Sequence, residues 1–257
     1  MISAVVLTHN SEKSLEACLK SIGFCDEVLV VDDNSKDRTL DIAKKYSAKI
    51  VKSNLEDDFS KQRNLAMNLA KHDWVLFIDD DEMISNQLRK EIIDKVQRPT
   101  SNFQISNTFS NFRLKRRDHW WGRVLSHGEV AEAYDRGFIR LVKKNSGVWT
   151  RRVHEEFVPN GQTGQLNGYI DHFPHPTVTD FLHDINHYST VASQELVLRG
   201  YTPSIAEIMF VPVCKFIYTY FIKLGFLDGP AGFAYSFFMS FHSFLTRAKA
   251  YQQRNFK

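Results

Sequence analysis

The sequence predicts an α/β fold: a mostly parallel sheet flanked by helices, with an aromatic-rich helical extension behind it. Three observations carry this. Strand-like and helix-like patterns alternate through the first hundred residues. Strand-like segments there run directly into polar or acidic residues, as parallel strands do where they deliver a site. Residues 205–251 hold thirteen Phe or Tyr, in two apolar runs split by "GFLDGPAG".

The elements follow in order. "ISAVVLT" is a short β-branched strand. "SLEACLKSI" has helical spacing, with Leu15, Cys18, Leu19 and Ile22 on one face. "DEVLVVDD" is a second buried strand, and "SKDRTLDIAKKY" a helix capped by Ser35 or Asp37. "AKIVKS" is a third strand. "DFSKQRNLAMNLAK" is a helix with Leu65, Ala66 and Leu69 inward. "DWVLFI" is a fourth strand, followed by the helix "SNQLRKEIIDKV". Continuous apolar strands separated by helices imply a parallel sheet covered on both faces.

Beyond Pro99 the pattern changes. Residues 101–117 alternate like an exposed or antiparallel strand. "GFIRLVKK" and "GVWTRRVHEEFV" read as a hairpin, residues 178–199 as one amphipathic helix, and residues 205–224 and 230–251 as two helices. The chain thus divides into 1–200, in two halves (1–100 and 101–200), and a helical tail, 201–257.

The 257 residues carry a net charge of +3, too little to argue for a nucleic-acid partner. The charge is uneven: residues 1–100 hold 18 of the 30 acids, while residues 205–257 hold six bases against Glu207 and Asp228. Cys18, Cys25 and Cys214 lack metal-ligand spacing and read as reduced, buried thiols of a cytosolic protein. "MISAVVLTHN" has no basic start and reads as a strand rather than a leader.

The strand ends carry the chemistry. The first delivers Thr8, His9 and Asn10; the second Asp32, Asp33, Asn34 and Ser35; the fourth Asp79, Asp80, Asp81 and Glu82. Four adjacent carboxylates repel one another, and a helix cap needs only one. A hard divalent cation, which takes oxygen ligands, is the simplest partner for them.

"VVLTHNSEKSLEACLKSI", "EVLVVDDNSKDRTLDIA", "KQRNLAMNLAKHDWVLFIDDDE" and "RLVKKNSGVWTRRVHE" resemble, in order, the blocks of inverting family-2 glycosyltransferases with the GT-A fold. The nearest resemblance is to bacterial lipopolysaccharide core β-1,4-glucosyltransferases. It spans roughly residues 1–200, and the tail looks like theirs as well.

The resemblance implies roles. Asp79 and Asp81 match the acids of a D-x-D motif, as ribose contact and metal ligand, with Asp80 where a small residue is usual. Asp33 matches the acid at the uracil edge. Thr8, Asn10 and Glu12 match the first nucleotide-contacting loop, and Arg63 a basic residue near the donor phosphates. The donor is then a nucleotide sugar, a UDP-sugar by this resemblance, and the cofactor Mg²⁺ or Mn²⁺. The family's "HE" pair matches His154 and Glu155, which makes Glu155 the base that deprotonates the acceptor hydroxyl. Strand alternation sends Glu156 to the opposite face, toward a salt bridge with Arg151 or Arg152; Asp135 and Glu129 are rival bases. His172 reads either as a further metal ligand or as an exposed loop histidine. Trp120 and Trp121 are candidates for stacking on a sugar or packing on the sheet. The family's Gly-Gly-Trp-Tyr-type segment is replaced by "HGEVAEAYDRGFIRL", where an acceptor should sit.

The tail has three readings: membrane interface with Lys215, Lys223, Arg247 and Lys249 toward headgroups, core helices packed on the catalytic domain, or a homo-oligomer contact. The first suits a lipid-anchored glycan acceptor at the inner face of the plasma membrane. Rival functions are weaker. A sugar-phosphate nucleotidyltransferase would open with a Gly-rich loop, and "LTHNSEKS" has none. A phosphoacceptor domain leaves the second acidic cluster without a role. An inactive scaffold does not need the intact acids.

Overall fold

A computed structural model describes residues 1–54, 58–97, 108–152 and 155–256. Its elements are β1 (Ile2–Thr8), α1 (Leu15–Ser21), β2 (Glu27–Asp32), α2 (Thr39–Lys45), β3 (Lys49–Lys52), α3 (Phe59–Leu69), β4 (Trp74–Asp79), β5 (Glu82–Ile84), α4 (Asn86–Ile92), β6 (Asn111–Trp120), β7 (Arg123–Leu125), α5 (Ala131–Asp135), β8 (Phe138–Lys143), β9 (Gly147–Thr150), β10 (Glu156–Pro159), β11 (Thr163–His172), α6 (Val178–Leu198), α7 (Ile205–Ile217) and α8 (Gly229–Asn255).

The chain forms two compact units, Met1–Arg116 with Asp135–His172, and Arg117–Tyr134 with Phe173–Lys257. This differs from a linear division at residue 200, because α6 joins the tail helices.

The first unit is built on a mixed sheet, in the order β3-β2-β1-β4-β8-β6-β11-β5. From β3 to β4 it is parallel, and β1 is buried throughout, as the continuous apolar runs require. β8 then runs antiparallel to both β4 and β6. Leu15, Cys18, Leu19 and Ile22 face the core as their spacing predicts. Asp37 caps α2 locally, accepting from the Thr39 amide at 3.0 Å.

Two elements depart from expectation. "GFIRLVKK" and "GVWTRRVHEEFV" do not pair with each other: β8 is taken into the large sheet, and β9 pairs with β10. On α3 the buried residues include Arg63, Ala66 and Met67, while Leu65 and Leu69 are about 40% exposed. The helix is turned to bury its arginine, for reasons the site supplies. The predicted strand over 101–117 is described only from residue 108, where β6 bears it out from Asn111 on.

Gly137 opens β8 in the left-handed region, at φ +67°, and a Cβ there would meet the Leu114 carbonyl oxygen at 1.9 Å. Gly137→Ala is expected to destabilise the protein by more than about 1 kcal/mol, read by chemical denaturation.

In the second unit α8 packs between α6 and α7. A small core joins Trp120, Leu125, Val130, Phe181, Ile185 and Ala231. Trp120 is buried and donates to the His175 carbonyl at 3.2 Å, and half-exposed Trp121 stacks on it. Cys214 is exposed, unlike Cys18, so not all three thiols are buried.

Candidate active site

Because β2, β1 and β4 are parallel neighbours, their carboxyl ends emerge side by side: Thr8 is in register with Asp32, and Leu7 with Asp79. The first two loops brace each other. Asn10, at φ 53°, accepts from the Lys36 amide at 2.8 Å, and Glu12 from the Arg38 amide at 3.2 Å. The Thr8 hydroxyl turns inward, to the Val31 carbonyl and the Asp32 carboxylate. Asp33 donates its amide to the Thr8 carbonyl at 2.9 Å, and its carboxylate lies 3.9 Å from His9 Nδ1. Thr8, Asn10, Glu12 and Asp33 are thus brought to one edge, with Thr8, Asn10 and Glu12 linking the two loops.

The acids at the end of β4 go to different partners. Asp79 is gripped by two arginines: Arg63 Nη2 donates to Oδ1 at 2.7 Å, and Arg140 Nη2 to Oδ2 at 2.9 Å. Burial alone would raise the Asp79 carboxyl, but the positive charges of Arg140 and Arg63 outweigh it and hold it far below the usual carboxylate range. Asp80 turns toward α1, where Ser14 Oγ donates to it at 3.3 Å. Burial, followed by the adjacent Asp81 charge, pushes Asp80 up to about 7. Asp81 pairs with His172, Nε2 to Oδ2 at 3.2 Å; burial works against its charge, and His172 more than compensates. Glu82 is fully buried and supports the turn, accepting from the Asp79 amide at 3.0 Å.

A cluster this acidic needs cations, and the antiparallel half of the sheet brings two, one buried and one half-buried. β8 supplies Arg140, and β6 supplies Arg116, 3.6 Å from Glu82. β11 ends at His172, paired across the ladder with Glu82; only 13% of its side chain is exposed, so it is a strand-end residue rather than an exposed loop histidine. Arg63 comes from α3, 2% exposed, its guanidinium carbon 4.9 Å from the Trp149 ring centre and 5.8 Å from that of Phe77. Those aromatic faces explain why α3 turns Arg63 inward.

Arg63 also reaches Glu155, its Nε donating to Oε1 at 2.8 Å. One guanidinium therefore bonds the expected base and the first strand-end acid. Glu156 points elsewhere, pairing with exposed Arg151 at 2.9 Å as strand alternation implies. Glu129 lies in the second unit, paired with Lys215. His154 is outside the described residues. Sequence reasoning missed Arg140, whose only signal was a charged residue between the apolar Ile139 and Leu141.

Asp81 and His172 place one carboxylate oxygen and one imidazole nitrogen side by side, 3.2 Å apart, donor types that Mn²⁺ accepts, while Mg²⁺ keeps most of its waters and needs only one or two carboxylates. Asp79, held by two arginines, is not part of that set. Among the described residues no third acidic, histidine or cysteine side chain joins the pair. The residues fit an ion completed by water and a bound diphosphate, not a closed protein cage.

The conserved-domain pattern of glycosyl transferase family 2 matches residues 3–156. The chain belongs to that family. It is a glycosyltransferase with a GT-A fold and a C-terminal helical region. Similar to it over its whole length is a lipopolysaccharide core biosynthesis glycosyltransferase, LpsC, of Rhizobium meliloti, 27% identical over 100% of this chain and 94% of the relative. An uncharacterised glycosyltransferase of Rickettsia typhi is 28% identical over 96% of this chain and 86% of the relative. Among solved structures, a mannosyltransferase from Pyrobaculum calidifontis in complex with GDP-mannose and Mn²⁺ overlays with a TM-score of 0.58 at 13% identity, covering 99% of this chain and 88% of that one. The last supports the fold alone.

Proposed function

We propose that this glycosyltransferase transfers a hexose, glucose from UDP-glucose as the leading donor, with inversion, onto a lipid-anchored glycan such as lipopolysaccharide inner core, at the cytoplasmic face of the plasma membrane. The observation that carries the reading is the Arg63 bridge, which joins Glu155 to the strand-end acids. The full-length similarity to LpsC supports the acceptor class.

The roles are those that the family resemblance implies, and the Arg63 bridge supports the one given to Glu155. Glu155 takes the proton of the attacking acceptor hydroxyl, and Arg63 fixes one of its oxygens so that the other faces the acceptor. Asp33 reads the uracil edge, and Thr8, Asn10 and Glu12 form the nucleotide loop. Asp79 takes the ribose-contact role that the resemblance gives it, and Asp80, turned toward Ser14, is assigned to the donor side by its place beside Asp79. Asp81 and His172 would hold Mg²⁺ or Mn²⁺, which when bound offsets the charge that develops on the departing diphosphate. Arg63 and Arg140 keep the acids neutralised, so that a doubly negative diphosphate is not repelled.

The test is a donor panel: UDP- and GDP-sugars titrated with Mn²⁺ or Mg²⁺ and scored for binding and slow hydrolysis. UDP-glucose is expected to bind in a metal-dependent way. Binding by no nucleotide sugar with either ion would sink the reading. In the same assay Asp81→Ala is expected to weaken donor binding by more than the roughly 10–100-fold that loss of an outer-shell partner costs. Metal-dependent binding unchanged from the parent would remove Asp81 from the metal role.

A further inference from the structure

The helices α7 and α8 of the second unit are packed inside out for water. Every exposed residue between Glu207 and Arg247 is apolar or aromatic, Met209, Phe210, Val213, Phe237, Phe241 and Phe244 among them. Six polar residues of the same stretch, Thr219, Asp228, Ser236, Ser240, Ser243 and Thr246, are buried, and Lys215, Lys223 and His242 are half-buried. The Ser240 hydroxyl donates to the Pro212 carbonyl, a polar contact between the two helices. Gly232 sits against the Gly225 carbonyl with no room for a Cβ. A soluble helix pair would place serine outward and phenylalanine inward. Small residues between helices and large apolar ones outside is the arrangement selected where the surrounding solvent is lipid. The 18-residue stretch Ile205–Ile222 is long and apolar enough to cross a membrane, yet only 11% of it is buried.

The surroundings of the hairpin argue against crossing. Its turn is tied to the rest of the unit: Gly128 donates its amide to the Lys223 carbonyl at 2.8 Å, and the amides of Ser126 and His127 both donate to Asp228. On its other flank α8 is stitched to α6 by Lys249, whose ammonium bonds Asn186, Ser189 and Thr190. All four bases expected to face headgroups are engaged within the protein: Lys249 here, Lys215 with Glu129, Arg247 with Ser243, and Lys223 over the Tyr218 ring. Attachment therefore rests on the apolar face. Residues 205–257 as a whole hold six bases against two acids, a net positive charge suited to anionic lipid.

We infer that the outward face of α7 and α8 lies within one leaflet of an anionic bilayer and holds the enzyme there without spanning it. This deepens, and rests on, the reading that the acceptor is carried by lipid. The test is flotation of the full chain with vesicles of phosphatidylethanolamine and phosphatidylglycerol, at low and high salt, with a donor titration on the same samples. The parent is expected to float and to stay bound in high salt. Phe210→Ser, Phe237→Ser and Phe241→Ser are each expected to lower partitioning about tenfold, and together by about 100-fold or more. These positions are exposed, so thermal melts and donor affinity are expected to remain those of the parent. A parent that stays in the soluble fraction, binding that high salt abolishes, or a triple variant that floats normally would each overturn the inference. So would light scattering that finds a dimer broken by the same substitutions. Flotation without donor binding would leave the membrane face standing and remove the proposed function instead.

Discussion

Replacing Glu155 with glutamine is expected to lower the rate of sugar transfer by about 10²–10⁴-fold while leaving donor affinity unchanged. The side chain keeps its size, and its amide oxygen can still accept from Arg63, whose Nε bonds Oε1 at 2.8 Å in the parent. Arg63 and Asp79 then hold their places, and what is lost is the ability to take a proton. Slow hydrolysis of the donor is expected to fall as well, because water attacking the sugar also needs a base. Glu156→Gln is the control: its carboxylate pairs with exposed Arg151, and its loss should leave transfer unaltered. Equal loss of donor binding in Glu155→Gln would show instead that this residue supports the nucleotide.

The parallel half of the sheet was legible because a strand buried on both faces reads as an unbroken apolar run, and β1 and β4 do. The acids were legible because carboxylates directly after such a run have no use in packing. What was hidden is what balances them. Arg140 looks like an ordinary polar alternation on a strand until β8 pairs with β4, more than sixty residues away, and carries it to Asp79. Arg63 was legible as a charge on a helix, but its direction was not. The periodicity favoured Leu65 and Leu69 inward, and the choice went the other way because Phe77 and Trp149 supply a slot for a guanidinium that only tertiary structure assembles. The crowding of Asp80 could be read as an anomaly. Its orientation toward Ser14 on α1, away from the arginines, could not. In the tail the aromatic content was plain, while its outward placement depends on which face of α8 meets α7.

Arg63→Met is expected to cost about 3–5 kcal/mol of stability, the range found when one partner of a buried ion pair is removed. Methionine approximates the aliphatic length of the arginine and can fill the slot between Phe77 and Trp149, so the loss is chiefly electrostatic. It falls unequally on the two carboxylates. Asp79 keeps Arg140, at 2.9 Å, whereas Glu155, with 15% of its side chain exposed, loses the cation that both Arg63 contacts supplied. The double variant Arg63→Met with Glu155→Gln should therefore recover part of the loss, because a neutral amide is less costly to leave in a poorly hydrated place than a carboxylate. A double-mutant cycle by chemical denaturation checks this, and the two substitutions should be non-additive by about 1–3 kcal/mol. Additivity would mean that the bridge between α3 and the start of β10 does not hold in solution. Arg63→Lys should rescue little: an ammonium is a single point of charge and cannot span two carboxylates with the planar fork that Nε and Nη2 provide. Transfer activity should fall with Arg63→Met beyond what the loss of folded protein explains, because the base loses the group that orients it.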